Sequence, residues 1–169
     1  MNANREAVQH VAELVERAKI SMLTTMTSTG KHVSRPMAVQ DVEFDGDLWF
    51  FAYEDSDKAT QLRANPQVNV SFSNDKSSEW TSVSGTAEIV HDQAKAEELW
   101  SAPLKTWFPE GLDTPGLTLI KVHADSAEYW ESSSSKVVQL IGAARAAISG
   151  DPDKFPSTNE EVSLGDNPA

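Results

Sequence analysis

Between residues 4 and 19 the apolar positions Val8, Val11, Ala12, Leu14, Val15 and Ala18 recur at the spacing that gathers them on one face of an amphipathic helix. Beyond them the period changes. "ISMLTTMT" is rich in branched residues and closes on the turn signal "STGK", and "HVSRPMAVQDVEF" then runs to Asp45-Gly46 before "DLWFFAYE". These three runs predict a three-stranded meander. A short helix over 57–64 must stop at Asn65-Pro66, because the residue before a proline is biased away from the α region.

Strands resume at once. "QVNVSFS" alternates with period two, and "WTSVSGTAEIV" reads as a long strand in which Gly85 marks a bulge or a close backbone approach. "DQAKAEELW" predicts a helix capped by Asp92, "PLKTWFPEGLDTPG" a loop or broken helical turn, and "LTLIKVHADSAEYWE" one or two further strands. Residues 136–149, "KVVQLIGAARAAIS", predict a closing helix, so that 1–150 forms a single domain and 151–169 an acidic, solvated tail. Six or so antiparallel strands, few helices, no internal repeat and no βαβ rhythm give a mainly β fold, a small barrel with helical decoration.

Composition narrows the chemistry. With 169 residues, 39% hydrophobic and 24% charged, the chain has the make-up of one globular domain. No run approaches the roughly 18 apolar residues of a membrane span, and "MNANREAVQH" has no signal-peptide apolar core, so a soluble, cytoplasmic protein without membrane partners is expected. The absence of cysteine removes disulfides, thiol catalysis and thiolate metal sites. A net charge of -12 argues against nucleic-acid partners, whose phosphates are held by clustered Lys and Arg, and it gives each remaining cation more weight. His10, His32, His91 and His123 lack ligand spacing, so no metal site is indicated. The "SSSS" run at 132–135 reads as a loop, and no G-x-S-x-G, P-loop or G-x-G-x-x-G is present.

Two cations stand out. Val33, Arg35, Met37 and Val39 share one strand face by period two, and a guanidinium on such a face either pairs with a carboxylate or serves a ligand. Pro36 beside it has no N–H, which puts this strand at an edge or breaks it locally. In "YEDSDKATQLRANP", Ser56 and Lys58 lie at the mouth of the short helix, where free N–H groups and the positive end of the dipole suit a phosphate. The alternative is a Ser56 or Asp57 cap with a solvated Lys58. An Arg on one strand, the aromatic strand "LWFFAY" next, and then a Ser-x-Lys helix start make the outline of a flavin mononucleotide site.

The ordered set "MLTTMTSTGKHVSRPMA", "GDLWFFAYEDSDKATQLRANPQVNVSF", "VSGTAEIV", "EELW", "KTWFPEG" and "AEYW" resembles the split-barrel flavoproteins of the pyridoxamine 5'-phosphate oxidase type, general stress protein group. The resemblance implies an antiparallel six-stranded split β-barrel and a homodimer with FMN, or another flavin such as a deazaflavin, at the subunit interface. It implies that Arg35, Pro36 and Met37 lie along the flavin ring and ribityl chain, that Phe50, Phe51 and Ala52 supply backbone and ring contacts, and that Ser56 and Lys58 hold the phosphate. Gln61 falls where the family keeps a polar residue, and Trp80 and Trp107 are further ring neighbours, from either subunit. The expected activity is a flavin-dependent oxidoreductase, with NADH or NADPH as electron donor to an unidentified small-molecule substrate; the alternative is a flavin-storage stress protein without turnover. No catalytic residue is evident. Asp57 and Gln40 replace cations of the true oxidases, and the chain ends in "SLGDNPA" where those enzymes carry a basic and aromatic segment, which argues against pyridoxamine phosphate oxidation.

Overall fold

The computed structural model describes residues 2–40, 44–132 and 157–164. The helical spacing at the N-terminus is realised in α1 (Asn2–Arg17), which turns Val11, Leu14 and Val15 into the core, none more than 3% exposed. Polar clamps fix it to the sheet: His10 Nε2 lies 2.7 Å from Glu131 Oε2, and Arg17 Nη1 donates to Glu79 at 3.0 Å. The expected helix at 136–149 lies outside the described residues.

The sheet is antiparallel throughout. Strands β1 (Ile20–Met26) and β2 (His32–Ala38) form the expected hairpin, with Ser21 opposite Met37 and Thr25 opposite Val33. The meander ends there, because β3 (Asp47–Tyr53) joins the far side of the sheet instead of β2. Burial explains the jump. Leu48, Phe50 and Ala52 face the main core while Phe51 faces a second cluster with Leu99, Leu104 and Phe108, so β3 needs cover on both faces and an outer hairpin strand would have it on one. Its partner is the long strand β6 (Leu117–Ser132), with Phe50 opposite Ile120. Between β1 and β6 lie β4 (Gln67–Asn74) and β5 (Glu79–Val90), giving the order β2-β1-β4-β5-β6-β3.

A seventh strand was hidden in the acidic tail. In β7 (Ser157–Ser163) the backbone pairs with residues 126–132 of β6, and Val162 and Leu164 are 4% and 6% exposed. Those two alternating apolar residues supply the burial that the surrounding acids mask in the composition. Gly85 behaves as its position in a long strand predicts: the β5–β6 register shifts between Ser84 and Gly85, and a Cβ there would lie 2.1 Å from the carbonyl oxygen of His123. Among the described residues β2 and β3 remain the two ends of the strand path and do not pair. No helix among the described residues is long and apolar enough to cross a membrane.

Candidate functional site

The two ends of the sheet flank a pocket of about 230 Å³, lined by Met37 and Ala38 of β2 and by Phe51, Ala52 and Tyr53 of β3. Its far wall is the segment after α3 (Gln93–Leu99), where a 3-10 turn over Ala102–Thr106 brings Leu104, Trp107 and Phe108 to the mouth. Aromatic contacts hold that wall on β3: Phe51 meets Trp100 edge-on at 5.5 Å, and Tyr53 packs against Phe108 at 5.0 Å. The Tyr53 hydroxyl donates to the Trp107 carbonyl at 2.9 Å, which fixes the backbone of a residue whose ring is 53% exposed. Among the described residues, no titratable side chain other than Lys58 and Tyr53 lines this pocket.

Helix α2 (Asp57–Ala64) closes the polar end. Ser56 caps it, accepting from the Ala59 amide at 3.4 Å and donating to the Tyr53 carbonyl at 2.6 Å. So the cap reading of Ser56 holds, and it ties the helix mouth to the last residue of β3. Lys58 lines the pocket, half-buried, and makes neither a hydrogen bond nor a salt bridge among the described residues. Arg35 is held by neutral acceptors alone: Nη1 donates to Leu23 O at 3.3 Å and to Thr25 Oγ1 at 2.6 Å, and Nη2 donates to Gln61 Oε1 at 3.1 Å. Among the described residues, the carboxylate partner that an apolar strand face demands of a structural arginine is missing from its contacts.

The electrostatics follow from that arrangement. Burial pushes the Lys58 ammonium below the ordinary lysine value, the nearby Arg35 charge pushes it further down, and Asp57 pulls it back up. Burial likewise lowers Arg35, against an upward pull from Asp57. Two cations therefore stand close enough to repel, beside an apolar pocket and a helix N-terminus.

Of the residues singled out in the sequence, Pro36, Met37, Phe51, Ala52, Lys58 and Trp107 line the pocket; Arg35, Gln61 and Ser56 are outside the lining, Arg35 bonded to Gln61 of α2 and Ser56 capping that helix. Phe50 is on the opposite side of β3, 1% exposed in the main core. Trp80 lies on β5 opposite Ser73 and Trp130, away from the pocket lining. Sequence reasoning missed Thr25, which links Arg35 to Gln61 through a 2.5 Å bond to Gln61 Oε1, and missed Tyr53, Leu104 and Phe108. Tyr53 ends the aromatic strand and Phe108 follows Trp107 in "KTWFPEG", so the signal for those two was composition beside a residue already chosen.

The outer face of the same sheet carries an uncharged patch across four strands, bounded on β5 by the exposed Glu88. Register aligns Ser34, Pro36 and Ala38 of β2, Ile20, Met22 and Thr24 of β1, Asn69 and Ser71 of β4, and Trp80, Ser82 and Ser84 of β5. Ile20, Met22 and Trp80 are 50%, 40% and 42% exposed. Because Ile20, Pro36 and Ala38 also line the pocket, face and pocket are continuous.

Fold and site together define a class: a mainly antiparallel β protein whose sheet ends frame an apolar pocket finishing in two cations that make no salt bridge among the described residues. Residues 6–153 match the family described as pyridoxamine 5'-phosphate oxidase like. The chain belongs to that family. It is 32% identical over 157 residues to protein bli-3 of Neurospora crassa, covering 87% of this chain and 75% of that protein. Among solved structures, the general stress FMN/FAD binding protein of Xanthomonas citri is 26% identical with a TM-score of 0.66, covering 78% of this chain and 92% of the other. A Clostridium acetobutylicum protein related to general stress protein 26 of Bacillus subtilis shares the fold at 21% identity and a TM-score of 0.69, covering 94% of this chain and 95% of that one.

Proposed function

We propose that the pocket holds a flavin of the FMN type and that the protein is a flavin-dependent oxidoreductase of the general stress group. The observation that carries this reading is the pair Arg35 and Lys58, left without salt bridges among the described residues where the apolar pocket meets the start of α2. A half-buried ammonium with no partner costs stability, and an anionic ligand removes that cost. The residues fit the group. Lys58 and the α2 amide end take the phosphate, with Arg35 at the same polar end, oriented by Thr25 and Gln61. Met37, Phe51, Ala52 and Phe108 give apolar walls that exclude water, and Trp107 forms the rim. The name of the Xanthomonas citri relative, an FMN/FAD binding protein, supports the same reading.

When bound, the flavin supplies hydride acceptance from NADH, NADPH or another small donor. The chain supplies position and charge. Among the described residues the pocket offers no acid, since the Tyr53 hydroxyl is committed to Trp107 O, and this favours as a second reading a flavin carrier without turnover. Pyridoxamine phosphate oxidation does not suit the chain: its C-terminal strand β7 is acidic and lies along residues 126–132 of β6, beyond the stretch that β3 pairs.

The reading extends to architecture. Strands β1–β6 form a six-stranded split barrel whose split, between β2 and β3, is the pocket, and β7 is an addition. A second copy covers the uncharged patch of the outer face, making a homodimer in which Trp80 lies at the interface near the partner's pocket. The test is titration of apo-protein with FMN, followed by flavin fluorescence, with NADH or NADPH added at saturation. Saturable quenching followed by bleaching supports the oxidoreductase; quenching without bleaching supports the carrier; no saturable quenching overturns the flavin reading.

A further inference from the structure

We infer that Gln61 determines the site's selectivity for a phosphate: with Thr25 it holds the Arg35 guanidinium through neutral acceptors, leaving its charge and one two-donor edge to an oxyanion. The inference rests on the flavin reading above and adds to it the residues that set that selectivity. A guanidinium has five N–H donors and no acceptor. Nη1 donates to Leu23 O at 3.3 Å and to Thr25 Oγ1 at 2.6 Å, and Nη2 donates to Gln61 Oε1 at 3.1 Å. Thr25 Oγ1 in turn donates to the same Gln61 oxygen at 2.5 Å, so the two acceptors sit side by side across the Nη1–Nη2 edge. The other edge, Nε–H with the second Nη2–H, meets no acceptor among the described residues.

The same bonds fix which way Gln61 faces. Arginine only donates, so the atom turned toward it is the amide oxygen, and Nε2 with its two hydrogens points away, without a partner among the described residues. Lys58 lies three residues earlier on the same face of α2 and lines the pocket. Thr25 keeps a lone pair but is 1% exposed, out of a ligand's reach. The accessible groups of the cluster therefore have only donors left to offer, which suits a group that only accepts, as a phosphate does. The neutrality of residue 61 matters as well. A carboxylate there would satisfy the guanidinium outright, and in a chain of 26 Asp and Glu the position holds an amide instead, which orients the cation without cancelling it.

The experiment compares dissociation constants of riboflavin and FMN for the full chain and for Gln61→Glu, Thr25→Val and Thr25→Ser, with the urea midpoint of each apo-protein. Riboflavin lacks the phosphate, so general damage to the fold weakens both flavins alike. In Gln61→Glu the urea midpoint holds or rises, because Arg35 gains a counter-ion, while the advantage of FMN over riboflavin falls by about tenfold or more, the order expected for one negative charge set beside the phosphate. Thr25→Val lowers that advantage by about fivefold, the order of one hydrogen bond, and Thr25→Ser restores it. Gln61 is half-buried on α2, so its variant reports even where Thr25→Val does not fold. If FMN binds and Gln61→Glu keeps the advantage of the unaltered protein, the assignment to Gln61 is wrong and the flavin reading stands. If neither flavin binds the unaltered protein, both fall.

Discussion

At Gly85 a single hydrogen in place of a methyl group lets β5 pass the carbonyl of His123, which an added Cβ would approach to 2.1 Å. Both atoms belong to strands in the middle of the sheet, so neither moves freely. Gly85→Ala is expected to destabilise by about 1–3 kcal/mol, the usual cost of overpacking, read as a lower urea midpoint at unchanged slope. An unchanged midpoint would mean that the bulge absorbs the methyl. Lys58 gives a pH-dependent counterpart. Burial and Arg35 lower its folded pKa from 10.5, so the unfolded chain holds that proton more tightly and stability rises as pH climbs through the interval between the lowered value and 10.5. Lys58→Met should therefore stabilise the apo-protein at neutral pH, by an amount that narrows as pH rises; a constant difference across pH would assign the effect to packing. At this scale the sequence exposes contradictions best: a guanidinium among Val33, Met37 and Val39 is conspicuous. Thr25 and Tyr53 are not, because a hydroxyl on a strand breaks no period.

Among the elements, α2 was legible because its signals are local: a Ser56 cap and an Asn65-Pro66 stop. Partnership between distant strands is not local. β3 was assigned to a meander by adjacency along the chain, whereas its burial on both faces sends it to β6. The acids that dominate the composition of β7 predict a tail, although Val162 and Leu164 alternate as a half-buried strand should. Leu164 is 6% exposed in the main core cluster, and its amide donates to Asp125 O at 2.8 Å. Leu164→Ala should cost about 2–4 kcal/mol in the denaturant midpoint, whereas a solvated tail would give a change near zero.

At the scale of the whole molecule, a chain with 24% charged residues keeps an uncharged patch across four adjacent strands on one face and leaves Met22 and Trp80 exposed there. Register, which decides that these positions coincide, is invisible in sequence, so the face emerged only with the fold. Met22→Asp would bury a charge in the proposed dimer; it should convert the protein to monomer in sedimentation and weaken flavin retention together, since Ile20 and Pro36 belong to both face and pocket. A monomeric unaltered protein that still retains flavin would separate the two. The central claim is that Lys58 receives the phosphate of a flavin, and the most direct measurement is the FMN dissociation constant of the unaltered protein against that of Lys58→Ala, with riboflavin as the phosphate-free control. The account predicts that Lys58→Ala weakens FMN by about 1.5–3 kcal/mol, the worth of a charge-assisted contact, and leaves riboflavin almost unchanged. Equal FMN affinity in the two proteins would contradict it.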